Sequence, residues 1–80
     1  MRIKEAIVAR FQQLCRERGL NNNSLANLAG VTPSTVYSMM DPARHDLSII
    51  TVKKLCDGLD LSISDFFSDP IFKDLEQEIQ

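Results

Sequence analysis

The chain has 80 residues, of which 44% are hydrophobic and 25% charged, with a formal net charge of −2. A chain this short makes one domain and buries only about 60–65% of its surface, so its core must be compact. No apolar run approaches the roughly 18 residues of a membrane span, and the N-terminus has no signal-peptide core, so a cytoplasmic protein without a membrane partner is expected.

The first helix is expected from Ile3 to Arg18, because Ile3, Ile7, Phe11, Leu14 and Cys15 share one helical face. Gly19 ends it, and Leu20 then docks on the core. Asn21, Asn22 and Asn23 are good caps and poor helix-interior residues, and Asn21 is expected to start a short second helix through Ala29. Gly30 closes that helix, with Val31 as an apolar anchor inside the turn. Thr32-Pro33 is a strong start signal, a hydroxyl cap followed by proline where its missing N–H costs nothing. The third helix runs from Pro33 to Met40 and stops before Asp41-Pro42, and residues 42–47 form a polar loop. Ser48 caps a fourth helix whose Val52, Leu55, Cys56 and Leu59 face inward, ending near Gly58-Leu59. Ser62 and Asp65 form a capping-box arrangement for a fifth helix carrying Ile63, Phe66 and Phe67. Asp69-Pro70 repeats the cap-then-proline signal for a last short helix bearing Ile71, Phe72, Leu75 and Ile79. No β pattern appears. The fold class is all-α.

Charge is distributed unevenly. Residues 1–56 carry eight basic side chains against four acids, whereas residues 57–80 carry seven acids and only Lys73. A polyanion responds to the field within a Debye length of about 8–10 Å rather than to the overall charge, so the negative total does not exclude one as partner. Cys15 and Cys56 fall among core-facing apolar residues and read as buried thiols, with a disulfide or a metal site as alternatives. His45 has no Cys or Ser partner at motif spacing, and no glycine-rich phosphate loop exists, so neither an enzyme nor a cofactor is expected.

The informative stretch runs from Asn22 to Met39. Two short helices that cross through a tight turn approach closely, so the crossing residue must be small, as Ala26 is. The turn needs a left-handed residue without strain, which Gly30 supplies. Val31, Val36 and Met39 then fix the second helix so that its other face protrudes. In these residues the chain resembles the phage-repressor and Cro helix-turn-helix regulators, the XRE family. The resemblance spans about Phe11 to Phe67: Gly19-Leu20, Ser24-Leu25-Ala26-Asn27-Leu28-Ala29-Gly30-Val31-Thr32, Ser34-Thr35-Val36, Thr51-Val52-Lys53-Lys54-Leu55-Cys56 and Leu59-Asp60-Leu61-Ser62.

The resemblance implies a five-helix, lambda-repressor-like DNA-binding domain over residues 1–68. Residues 69–80 would be a C-terminal helix and possible dimerisation extension. It further implies a transcriptional regulator, a repressor in the first instance, whose recognition helix enters the major groove of double-stranded DNA; this docking geometry comes with the family resemblance. Family members place an amide at the first position of the second helix, reaching phosphate, and Asn22 occupies it here. Base-reading positions hold Pro33, Ser34, Thr35, Tyr37 and Ser38, with Ser34 and Ser38 expected to be exposed. Thr32, Arg44 and His45 are the phosphate candidates. The recognition helix departs from the family in having no Arg, Lys, Gln or Asn, the residues of bidentate base readout. Readout that is weak, water-mediated or shape-dependent follows.

A rival reading is a protein-interaction module on the same fold, partnered by a toxin or an anti-repressor, motivated by the uncharged recognition helix and the acidic tail. No small-molecule effector is expected. A two-fold homodimer is expected, because one short helix touches too few base pairs to select a site. The apolar stripe of the last helix either pairs with a second subunit or docks back on its own domain. Its acidic residues are expected to lie far from phosphate.

Overall fold

The computed structural model describes residues 1–79. Their helices are α1 (Ile3–Arg18), α2 (Asn22–Ala29), α3 (Pro33–Met40), α4 (Ile49–Gly58) and α5 (Ile63–Phe66), followed by a single 3₁₀ turn at Pro70–Phe72. No strand occurs among the described residues. The caps are those that the sequence announces. Asn21 Oδ1 accepts from the Ser24 N–H at 2.8 Å, Ser48 Oγ from Ile50 N–H at 3.1 Å and Ser62 Oγ from Asp65 N–H at 3.0 Å. Each satisfies a donor that the first helical turn leaves free. At α1 the cap works in reverse, with the Glu5 carboxylate accepting from Arg2 N–H at 3.0 Å.

Helical spacing decides which side chains meet. Ala6, Ile7, Phe11, Leu14 and Cys15 of α1 are buried together with Leu25, Ala26, Val36, Met39, Val52, Leu55, Cys56, Leu59 and Phe66. Fully burying a side chain the size of Leu or Phe contributes roughly 1.5–3 kcal/mol, so this single cluster dominates stability. Ile3, expected on the same face, is 40% exposed, since the first turn of α1 overhangs the core and meets the C-terminal segment instead. Phe11 and Phe66 lie with ring centroids 4.5 Å apart, which ties α1 to α5. α2 and α4 touch at Gly58, where a Cβ would come within 2.8 Å of backbone atoms of Leu28 and Ala29. Only glycine permits that approach.

Both cysteines are free and buried. Burial, with the neighbouring Asp57 charge adding to it, pushes the Cys56 thiol up to about 11, and burial also raises Cys15. They pack as small hydrophobes, as expected. No helix of the described residues is long and apolar enough to cross a membrane.

The expected last helix shrinks to one 3₁₀ turn. Asp69 caps it, its Oδ1 accepting from Ile71 N–H at 3.0 Å, but helical bonding ends at Phe72. A continuing helix would commit the Glu76 N–H to the Phe72 carbonyl; that N–H instead donates to the Met1 carbonyl at 3.1 Å. Phe72 packs against Phe67 at 4.8 Å and Phe66 at 5.8 Å, and Ile71 and Leu75 are half-buried. The stripe therefore docks back on its own domain, except for Ile79, which stays 82% exposed. Arg10 secures the junction. Its guanidinium donates to the Phe66 carbonyl at 2.9 Å and pairs with Asp69 at 3.5 Å.

Candidate nucleic-acid interface

The turn between α2 and α3 is built by its backbone. Gly30 adopts φ 68°, ψ 26°, its N–H donates to the Asn27 carbonyl at 3.3 Å, and Val31 N–H donates to the Ala26 carbonyl at 3.1 Å. This paired closure satisfies two orphan carbonyls of α2 and needs a left-handed residue, which glycine adopts without a Cβ penalty. Ala26 is fully buried in the core. Thr32 then turns the chain in an extended conformation and Pro33 opens α3. Val36 and Met39 point into the core, so Pro33, Ser34 and Tyr37 stand outward, Tyr37 being 55% exposed.

The structure separates the nine expected contact residues into local groups. Thr32 Oγ1 lies 3.0 Å from Ser34 Oγ and 2.9 Å from Thr35 Oγ1, and accepts from Thr35 N–H at 3.4 Å. These three hydroxyls form one cluster at the N-terminus of α3, where the helix dipole favours an anion. Asn22, half-buried, begins α2. Ser38 is half-buried rather than exposed. Arg44 and His45 are exposed beyond the other end of α3, which is about 11 Å long at 1.5 Å per residue. Their loop is ordered at its start: Asp41 Oδ1 accepts from Ala43 N–H at 2.9 Å, and Asp41 O from Arg44 N–H at 3.1 Å.

Two cations escaped the sequence reading. Lys4 Nζ donates to the Asp41 carbonyl at 2.6 Å, which fixes the exit of α3 to α1. Arg2 joins it in lining a groove with Arg44 and His45. Nothing in the spacing of Lys4 announces a bond to a carbonyl 37 residues away. The acidic tail is also nearer than expected: Glu76 pairs with the N-terminal ammonium at 3.2 Å and Glu78 with Arg2 at 3.2 Å. Glu78 lines the same groove as Arg44. Both acids thus meet groups at the start of α1, where Glu78 also accepts from the Ile3 N–H at 3.4 Å.

Two short helices locked at a glycine turn, with the outer face of the second left bare, define a helix-turn-helix DNA-binding domain. A family model described as the Cro/C1-type HTH DNA-binding domain matches residues 10–70, and the chain belongs to that family. The protein is thus a DNA-binding regulator. Among solved structures it is similar to the crystal structure of the prophage Lp1 protein 11. The two are 30% identical, with a TM-score of 0.80, over 94% of this chain and all of that one. No curated protein matches the chain.

Proposed function

We infer that the protein is a sequence-selective repressor that inserts α3 into the major groove of duplex DNA as a two-fold dimer in the cytoplasm of a bacterium. The observation that carries this reading is the division of α3, with Val36 and Met39 buried and Pro33, Ser34 and Tyr37 bare. Ser34 and Thr35 offer hydroxyls to base edges, and Tyr37 offers an apolar ring edge to thymine methyls. Asn22, Thr32, Arg44 and His45 hold phosphates, and Ser38 contributes from the flank of the helix. With no long cationic side chain on α3, selectivity rests on hydroxyl, water-mediated and shape readout.

The dimer follows from the reach of one short helix; two copies would read half-sites about 34 Å apart. The tail's stripe is engaged within its own chain, which leaves α4 as the better source of the interface. Its first residues, Ile49 and Ile50, are 59% and 63% exposed. Sedimentation equilibrium of Ile50→Glu against the parent tests this, and an unchanged dimer would move the interface elsewhere.

The direct test of DNA binding is a salt titration with duplex DNA, comparing the parent with a Ser34→Glu, Tyr37→Glu double variant. Phosphate-driven binding falls steeply with ionic strength, and the double variant should lose it while keeping its fold. A rival reading, a protein-interaction module, is favoured by the uncharged α3. It predicts weak affinity that the double variant leaves unchanged.

A further inference from the structure

A groove of about 1000 Å³ runs between the N-terminal half of α1 and the loop after α3. Val8, Ala9, Met40 and Pro42 give it apolar surface, and its three cations, Arg2, Lys4 and Arg44, outnumber its two acids, Glu5 and Glu78. It already holds two carboxylates, Glu5, which accepts from the Arg2 N–H at 3.0 Å, and Glu78. Glu78 Oε1 accepts from the Arg2 guanidinium at 3.2 Å, and Oε2 accepts from the Ile3 N–H at 3.4 Å. Neither Lys4 nor Arg44 is in an ion pair among the described residues, and the Lys4 ammonium is bonded to a neutral carbonyl. The groove therefore keeps positive charge available beside its apolar surface.

That combination discriminates among occupants. A phosphate backbone has no use for an apolar floor. Small-molecule sites of about 300–1,000 Å³ enclose most of their ligand, whereas this groove is at the top of that range and only partly enclosed. A helix with an apolar stripe flanked by Glu or Asp matches both features at once. We propose that the groove docks an acidic amphipathic helix of a partner protein, and that docking withdraws Arg44 and His45 from DNA. The second half rests on the DNA contacts inferred above; the first does not. Arg44 and His45 line the groove and flank the exit of α3, so they cannot serve a phosphate while covered by a partner helix.

The probe is a fluorescein-labelled peptide of about four helical turns, with Leu at i, i+3, i+4 and i+7 and Glu elsewhere. It is titrated into the full chain without DNA, beside a control peptide with Lys for Glu. The Glu peptide should bind saturably and shift the amide resonances of Val8, Ala9 and Met40, and the Lys peptide should not bind. Val8→Glu, with its fold checked by melting, should weaken the Glu peptide by about tenfold or more. The same peptide should release a bound duplex from the parent but not from Val8→Glu, which keeps its DNA affinity. Failure of the Glu peptide to bind, or binding indifferent to Val8→Glu or to peptide charge, overturns the docking site. A duplex that shifts Val8 and Ala9 where the peptide does not would make the groove a nucleic-acid surface and also overturn it. A peptide of residues 69–80 that binds as tightly as the Glu peptide would make a second copy the occupant, against a separate partner. Peptide binding without release of DNA defeats the regulatory half alone. A chain that binds peptide but no duplex defeats the DNA reading and leaves the docking site standing.

Discussion

The segment from Asn21 to Met40 and the segment from Asp69 to Ile79 begin with the same kind of signal and end differently. Each opens with a polar cap followed within two residues by the start of helical bonding, and each carries apolar residues at helical spacing. The first becomes two full helices with caps where they are expected. The second stops after one 3₁₀ turn. The difference lies in what surrounds each start signal. Around the turn at Gly30 local and tertiary preferences agree, because the left-handed glycine, the Thr32 cap and the buried Val36 all favour the same geometry. In the tail they conflict. A helix of about ten residues is marginal alone; Phe72 on Phe66 and Phe67 and Glu78 on Arg2 hold the segment against the domain, and the Glu76 N–H goes to the Met1 carbonyl instead of to the Phe72 carbonyl that a helix requires.

The largest expected effect tests what buttresses the first segment. Gly58→Ala sets a Cβ against the backbone of α2 at 2.8 Å. The gain in helix propensity, at most about 1 kcal/mol, is outweighed by overpacking of about 3 kcal/mol. Chemical denaturation should show a net loss; a more stable variant would mean that α2 and α4 do not touch there. Gly30→Ala should cost about 1–2 kcal/mol, the strain of a side chain in the left-handed region. An unchanged melting temperature would show that the turn does not depend on a left-handed glycine.

Phe72→Ala probes the second segment. Phe72 is half-buried, so the loss should be about 1–2 kcal/mol, below the 3–5 kcal/mol of a fully buried ring. Amide exchange in residues 73–79 should accelerate while α2 and α3 keep their protection. Equal loosening of α3 would show that the segments are one cooperative unit. The smallest effect is a pH dependence of the shared core. With the Cys56 thiol raised to about 11, the folded state holds its proton more tightly than the unfolded chain, whose thiol titrates near 9. This contribution is complete below pH 9 and is lost as pH rises toward 11. Cys56→Val should show a shallower loss of stability across that window than the parent.

The same contrast explains how much could be read from the sequence. The bounds of α1, α3 and α4, the Asn21, Thr32 and Ser48 caps and the two glycine closures are local facts, decided within a turn of chain, and each was legible. The outward face of α3 follows from the spacing of Val36 and Met39 and was legible too, although Ser38 proved half-buried. What was not legible depends on partners far along the chain. Lys4 on Asp41, Glu78 on Arg2 and the tight approach of Gly58 to α2 carry no mark in their own neighbourhoods. Gly58 looked only like the end of a helix. The groove beside α1 was invisible for the same reason, since its walls come from both termini and the middle of the chain.

The proposed function requires the bare face of α3 to meet DNA. Backbone amide shifts recorded during titration with a mixed-sequence duplex at low salt test it most directly. Shifts are expected at Asn22, from Thr32 to Ser38 and at Arg44 and His45, with α5 and the turn at Pro70–Phe72 unmoved. Shifts centred on α5 and the tail, with Ser34 and Tyr37 unmoved, would contradict it.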